Sequence, residues 1–220
     1  MQSHKIQVAK TAHYYTLGKP GPEIRFWVIC CHGYGQLARN FIRKFDVLTA
    51  QHDTFVLAPE GLSRFYWQGM GGDAGASWMT KEDRLEEIAD YSAYLSVLYQ
   101  QYLGQLPPDV RIVLFAFSQG CATVARWAMR ALPVFHDLVL WGGALPEDLS
   151  YKDRPAYWVD KSIYVAWGNA DPFITPERLT QQREILKAHG LQANEFPFEG
   201  AHTVDRAALK ALFETFIRQD

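Results

Sequence analysis

The chain has no long apolar run: no stretch approaches the ~18 consecutive apolar residues of a membrane-spanning helix. It also lacks an excess of either charge. With 22 Lys and Arg against 24 Asp and Glu, the net charge of −2 leaves no basic field to hold nucleic acid or an anionic membrane. Cysteine is scarce, with three residues, Cys30, Cys31 and Cys121. Adjacent cysteines rarely bridge each other and the count is odd, so no disulfide framework is expected. No Cys and His cluster has zinc-ligand spacing, so no metal is expected. Residues 1–6 lack the apolar core of a secretory leader. These absences together point to a cytoplasmic protein with reduced thiols. Repeats, low-complexity tracts and linkers are missing too, so residues 1–220 read as one domain, long enough for a full core. Hydrophobic residues at 48% and charged residues at 21% are ordinary for a globular chain.

The pattern of elements is α/β. Residues 25–31 form a near-continuous apolar run, as in a strand buried on both faces. Strands are also expected at 13–17, 54–58, 110–116, 138–141, 162–167 and 194–198. Helical spacing marks 40–50, 81–103, 121–132, 176–189 and 205–218. In the second of these, Leu85, Ile88, Leu95, Leu98 and Tyr102 fall on one stripe. Strands alternating with helices imply a mostly parallel sheet with right-handed crossovers. Chemistry then belongs at the carboxyl ends of the strands. Residues 62–78 are rich in glycine and read as a loop, a pocket wall or a lid. Phe65, Tyr66, Trp67 and Trp78 are its candidate pocket residues, although packing of a long loop explains them equally well.

Ser118 lies in Ala116-Phe117-Ser118-Gln119-Gly120, between a buried strand and a helix. A G-x-S-x-G turn in that context lifts a serine hydroxyl above the sheet as a nucleophile. Here alanine replaces the first glycine, which weakens the match. The plainer alternative is a serine that only caps the helix. A serine hydroxyl needs a base, and the chain order serine, acid, histidine leaves His189 and His202. His189 precedes Gly190 at a helix end, whereas His202 sits between the last strand and the last helix. His202 is therefore the candidate base. Asp171, directly after the strand at 162–167, is the candidate acid to orient it; Glu147 and Asp148 are the alternatives. The glycines of His32-Gly33-Tyr34-Gly35 free the backbone after the first buried strand. The N–H groups of Tyr34 and Gln119 would then form a two-donor oxyanion hole. His32 reads as a structural residue bonded to nearby backbone.

Five stretches, CHGYG at 31–35, FSQG at 117–120, LWGGALP at 140–146, GNADP at 168–172 and GAHT at 200–203, carry a resemblance. They resemble the phospholipase/carboxylesterase family of α/β hydrolases, which includes acyl-protein thioesterases. The resemblance implies an α/β-hydrolase fold and hydrolysis of a small-molecule ester or thioester without a cofactor. It gives Ser118, Asp171 and His202 the roles above, and Tyr34 and Gln119 the oxyanion donors. The sequence departs from the family at Ala116 and through 59–78, which puts the acyl group of the substrate in doubt. Two rival readings remain. A dienelactone hydrolase would carry cysteine where Ser118 stands. An inactive hydrolase fold serving as a binding or regulatory module would ordinarily have lost a member of the triad.

Overall fold

The computed structural model describes residues 1–49 and 53–217. It begins with β1 (Tyr14–Leu17), β2 (Phe26–Cys31), α1 (Ala38–Phe41), α2 (Asp46–Thr49) and β3 (Thr54–Pro59). A hairpin of β4 (Ser63–Gln68) and β5 (Gly71–Ser77) precedes the long α3 (Arg84–Leu103). Then come β6 (Arg111–Phe117), α4 (Gln119–Ala131), β7 (Asp137–Trp141), α5 (Pro155–Trp158), β8 (Ser162–Gly168), α6 (Pro176–Ala188), β9 (Asn194–Phe198) and α7 (Arg206–Ile217).

Seven strands form one sheet in the order β1-β3-β2-β6-β7-β8-β9. Only β1 runs antiparallel to its neighbour. The two-residue period of a strand sends alternate side chains to opposite faces. Trp27, Ile29 and Cys31 of β2 join a core with Leu95 and Tyr99 of α3 and Val124 and Trp127 of α4. Phe26, Val28 and Cys30 join the opposite core with Phe41, Phe45, Phe213 and Phe216. Both faces are covered, which is why 25–31 shows no polar alternation. Each fully buried large apolar side chain contributes ~1.5–3 kcal/mol relative to exposure. Cys30, Cys31 and Cys121 are buried free thiols. Among the described residues, no helix is long and apolar enough to cross a membrane.

The short α5 falls outside the expected helices, and three further elements differ from the sequence reading. The helix expected at 40–50 is α1, a 3-10 turn at Ile42–Phe45 and α2. Ile42, Phe45 and Leu48 are all buried at a spacing of three, which the tighter turn aligns. Its expected end at Ala50, like Arg218 at the end of the last helix, lies outside the described residues. Helix α3 starts at Arg84, after Asp83 in a left-handed conformation, so Leu85 falls in the first turn and is exposed. The loop expected over 62–78 is instead the β4–β5 hairpin, which pairs Phe65 with Gly75 and Arg64 with Ala76.

Candidate active site

Strand β6 ends at Phe117 and α4 begins at Gln119, so Ser118 alone makes the turn. Its φ of 53° and ψ of −117° lie outside the ordinary regions for a side-chain-bearing residue. Such a conformation costs ~1–3 kcal/mol and persists only when its surroundings impose it. Here Ser118 N–H donates to Trp141 O at 2.9 Å, and Cys121 N–H donates to Ser118 O at 3.0 Å. Gly120 permits the turn, because a Cβ there would lie 2.4 Å from Cys31 O. Ala116 is fully buried between its register partners Cys31 and Leu140, so the methyl group replacing glycine is packed. The Ser118 hydroxyl makes no cap bond to α4, which removes the plain capping role.

The hydroxyl instead lies 3.1 Å from His202 Nε2. His202 Nδ1 lies 2.6 Å from Asp171 Oδ2. The carboxylate fixes the proton on Nδ1 and leaves Nε2 to accept from serine. Asp171 lies in the turn after β8, and its other oxygen accepts Phe173 N–H at 2.8 Å. Its side chain is 1% exposed, so both oxygens are held away from water. The imidazole of His202 packs against the rings of Phe117 and Phe173, each 4.7 Å away between centroids. The other candidates stand elsewhere. His189 packs edge-on against Tyr151 at 5.2 Å, and Asp148 pairs with Arg84 and Arg126.

The loop after β2 faces the same point. A Cβ on Gly33 would lie 3.1 Å from Ser118 Cβ. Gly33 N–H donates to Gln36 Oε1 at 2.9 Å, and Gly35 N–H donates to Ala76 O at 2.8 Å. Among the described residues, no acceptor within the protein takes the N–H of Tyr34 or of Gln119. The hairpin locks this loop from above. Trp67 Nε1–H donates to Gly35 O at 3.3 Å, and Gly35 adopts φ +74° beneath the indole. The Gln119 side chain holds the far end of the hairpin: Nε2 donates to Met79 O at 2.9 Å and Oε1 accepts Trp78 N–H at 3.2 Å.

His32 is fully buried and joins the same parts. Its Nδ1–H donates to Gly33 O at 2.7 Å, and its Nε2 accepts Gly61 N–H at 3.0 Å. Burial pushes its pKa down to about 4, so both bonds are made by the neutral ring. Trp78 corrects the expectation of a pocket wall. It is buried, its Nε1–H donates to His32 O at 2.8 Å, and its ring packs on His32 and Tyr91. Phe65, Tyr66 and Trp67 lie on β4, with Tyr66 and Trp67 half exposed. Cys121, three residues beyond Ser118, donates to Ala116 O at 3.3 Å, and burial pushes its thiol pKa up, so it is no rival nucleophile. Phe173, Gln36 and the Gln119 side chain went unread in the sequence, for no spacing rule marks them. Among the described residues, no group of three or more His, Cys, Asp or Glu side chains could hold a metal ion. A cavity of about 540 Å³ between α6 and strands β8 and β9 is lined by none of the triad.

Sheet order, the turn at Ser118 and the chain order of Ser118, Asp171 and His202 define the α/β-hydrolase class. The chain belongs to the phospholipase/carboxylesterase family, whose model matches residues 18–219. It is therefore a member of a hydrolase family. Among solved structures, it is similar to acyl-protein thioesterase 2 of Zea mays, at 17% identity and a TM-score of 0.72 over 94% of this chain and 99% of that one. Esterase PE8 is 18% identical, with a TM-score of 0.68 over 96% and 99%. A phospholipase/carboxylesterase from Dyadobacter fermentans is 17% identical, with a TM-score of 0.67 over 96% and 99%. At these identities the likeness speaks to the fold. No curated protein matches the sequence significantly.

Proposed function

We propose that this chain is a serine hydrolase that cleaves small-molecule carboxylic esters or thioesters through an acyl-enzyme. The observation that carries the reading is the relay from Ser118 Oγ to His202 Nε2 at 3.1 Å and from His202 Nδ1 to Asp171 Oδ2 at 2.6 Å. Ser118 Oγ bonds to the carbonyl carbon, and its proton passes to His202 Nε2. The carbonyl π pair moves to oxygen, held by the N–H groups of Tyr34 and Gln119. Collapse breaks the bond to the leaving oxygen or sulfur, which takes the proton from Nε2. Water then adds to the acyl-serine and gives a proton to His202. The second collapse releases the carboxylic acid and returns that proton to Ser118. Asp171 stays ionised throughout and stabilises the imidazolium.

In this reading residues 1–220 act as one catalytic domain, and its three buried thiols suit the reducing cytoplasm. The hairpin aromatics Phe65, Tyr66 and Trp67 border the substrate. Turnover of a p-nitrophenyl ester series, from acetate to long chains, tests the reading against Ser118→Ala. The wild type is expected to turn over at least part of the series, and the variant to lose ~10⁴-fold or more in kcat. Equal rates in a folded Ser118→Ala protein would refute the assignment.

A further inference from the structure

Two half-exposed aromatic groups stand on elements that carry the site, and the bond-breaking steps use neither set of rings. One comprises Tyr34, 51% exposed, and Trp67, 54% exposed. Their rings are fixed by contact. Tyr34 stacks on Phe65 at 5.1 Å and 25°, and meets Trp67 edge-on at 5.7 Å and 90°. Trp67 is in turn edge-on to Phe65 at 5.3 Å and 68°. The indole is pinned by its bond to Gly35 O, and a Cβ on Gly35 would lie 1.8 Å from Trp67 Cζ2. The other is Phe173, 54% exposed, against the ring of His202. Rings ordered before a ligand arrives lose little side-chain entropy on contact.

The chemistry assigns a substrate part to each group. The leaving atom must reach His202 Nε2, which puts the leaving group on the Phe173 side. The carbonyl oxygen takes the N–H groups of Tyr34 and Gln119. The remaining substituent, the acyl group, is left for the loop that carries Tyr34, where a Cβ on Gly33 would lie 3.1 Å from Ser118 Cβ. We propose that Tyr34 and Trp67 are specificity-determining residues that select acyl groups ending in a planar aromatic ring. This inference rests on the serine hydrolase reading above. An aromatic ring gains stacked and edge-on contact with these two rings, whereas a saturated ring of similar size gains only buried area.

The test compares kcat/KM on trifluoroethyl phenylacetate and trifluoroethyl cyclohexylacetate. The leaving group is the same, and a methylene separates each ring from the carbonyl. The wild type is expected to prefer the phenyl ester by about five- to tenfold, the size of one favourable aromatic contact. Trp67→Leu and Tyr34→Leu should each bring the ratio towards one. A ratio taken within one variant is independent of how far that variant lowers turnover. Phenylacetate and cyclohexylacetate, as competitive inhibitors of the wild type, should rank in the same order with no substitution made. Equal turnover of the two esters by the wild type, or a preference that survives both substitutions, would overturn the inference and leave the hydrolase reading standing. No turnover of either ester by a folded wild type that cleaves other members of the p-nitrophenyl series would overturn the inference alone.

Discussion

Ser118 is bonded on both sides of its unusual turn, to Trp141 O and from Cys121 N–H, so strand and helix together hold its conformation. The strain is local and sits where the hydroxyl meets His202. His32 carries a second cost, that of burying an ionisable ring. Its pKa falls from an ordinary 6.5 to about 4 in the folded chain. Between those values the unfolded chain binds a proton that the folded chain refuses. Stability is therefore complete above pH 6.5 and falls as pH drops towards 4, by up to about 3 kcal/mol. Urea unfolding at pH 7 and at pH 4 in wild type and His32→Asn is the check. The variant should start lower, since Gly61 N–H and Gly33 O lose their partner, but its stability should depend less on pH across that window. Equal pH dependence in the two proteins would show that His32 is not the titrating group.

At the scale of elements, the hairpin is the part that positions the loop. Gly35 N–H meets Ala76 O, Ala76 N–H meets Gln36 O at 3.3 Å, and the Trp67 indole covers Gly35. A Cβ on Gly75 would lie 2.6 Å from Gly35 O and 2.9 Å from Gly35 Cα, both backbone atoms that no rotamer change can move aside. Gly75→Ala should push the loop away from Ser118. Because the Tyr34 N–H is proposed to hold charge that develops only in the transition state, kcat should fall about 10- to 100-fold with KM little changed. Steady-state kinetics on one good ester measures the split; a rise in KM alone would mean that the hairpin binds substrate without aligning the loop.

The hairpin is also where the sequence was least legible. Glycines at 69, 71, 72 and 75 hide the two-residue alternation; Gly69 and Gly72 take positive φ at the turn, and Gly75 lies against the backbone of Gly35. Where the hairpin reads as a loop, Trp78 reads as a pocket wall, though it closes the core beside His32. The neighbouring turn was readable, because a buried strand, one serine and a helix stand in unbroken order at 111–131. Helix α3 was readable in its body, where Ile88, Leu95 and Leu98 are buried, but not at its start, where a left-handed Asp83 sets the first residue.

At the scale of the whole molecule, the two ends of the sheet do different work. The carboxyl ends of β2, β6 and β8 and the loop after β9 bring together Gly33, Ser118, Asp171 and His202. The opposite end is tied by an ion pair between the first residues of β6 and β7. Arg111 Nε and Nη2 donate to Asp137 at 2.7 and 3.0 Å, and Arg111 Nη1 donates to Phe216 O of α7 at 3.2 Å. Asp137 is fully buried, so removing its partner strands a charge. Arg111→Met should cost about 3–5 kcal/mol in denaturant unfolding, whereas Arg111→Met with Asp137→Leu should recover much of that loss. A double variant no better than the single one would contradict this account. The order of strands and helices, and with it the meeting of Ser118, Asp171 and His202, was legible because chain order and strand ends fix it. The ion pair at the opposite end was not, since an Arg and an Asp 26 residues apart carry no local signal.

The central claim is that Ser118 forms a covalent acyl-enzyme. A fluorophosphonate, which reacts with an activated serine, tests it most directly through intact mass and peptide mapping. One adduct per chain is expected, located on Ser118, absent in Ser118→Ala and competed away by an ester substrate. A folded wild-type protein that takes no label, or takes it on another residue while still cleaving esters, would contradict it.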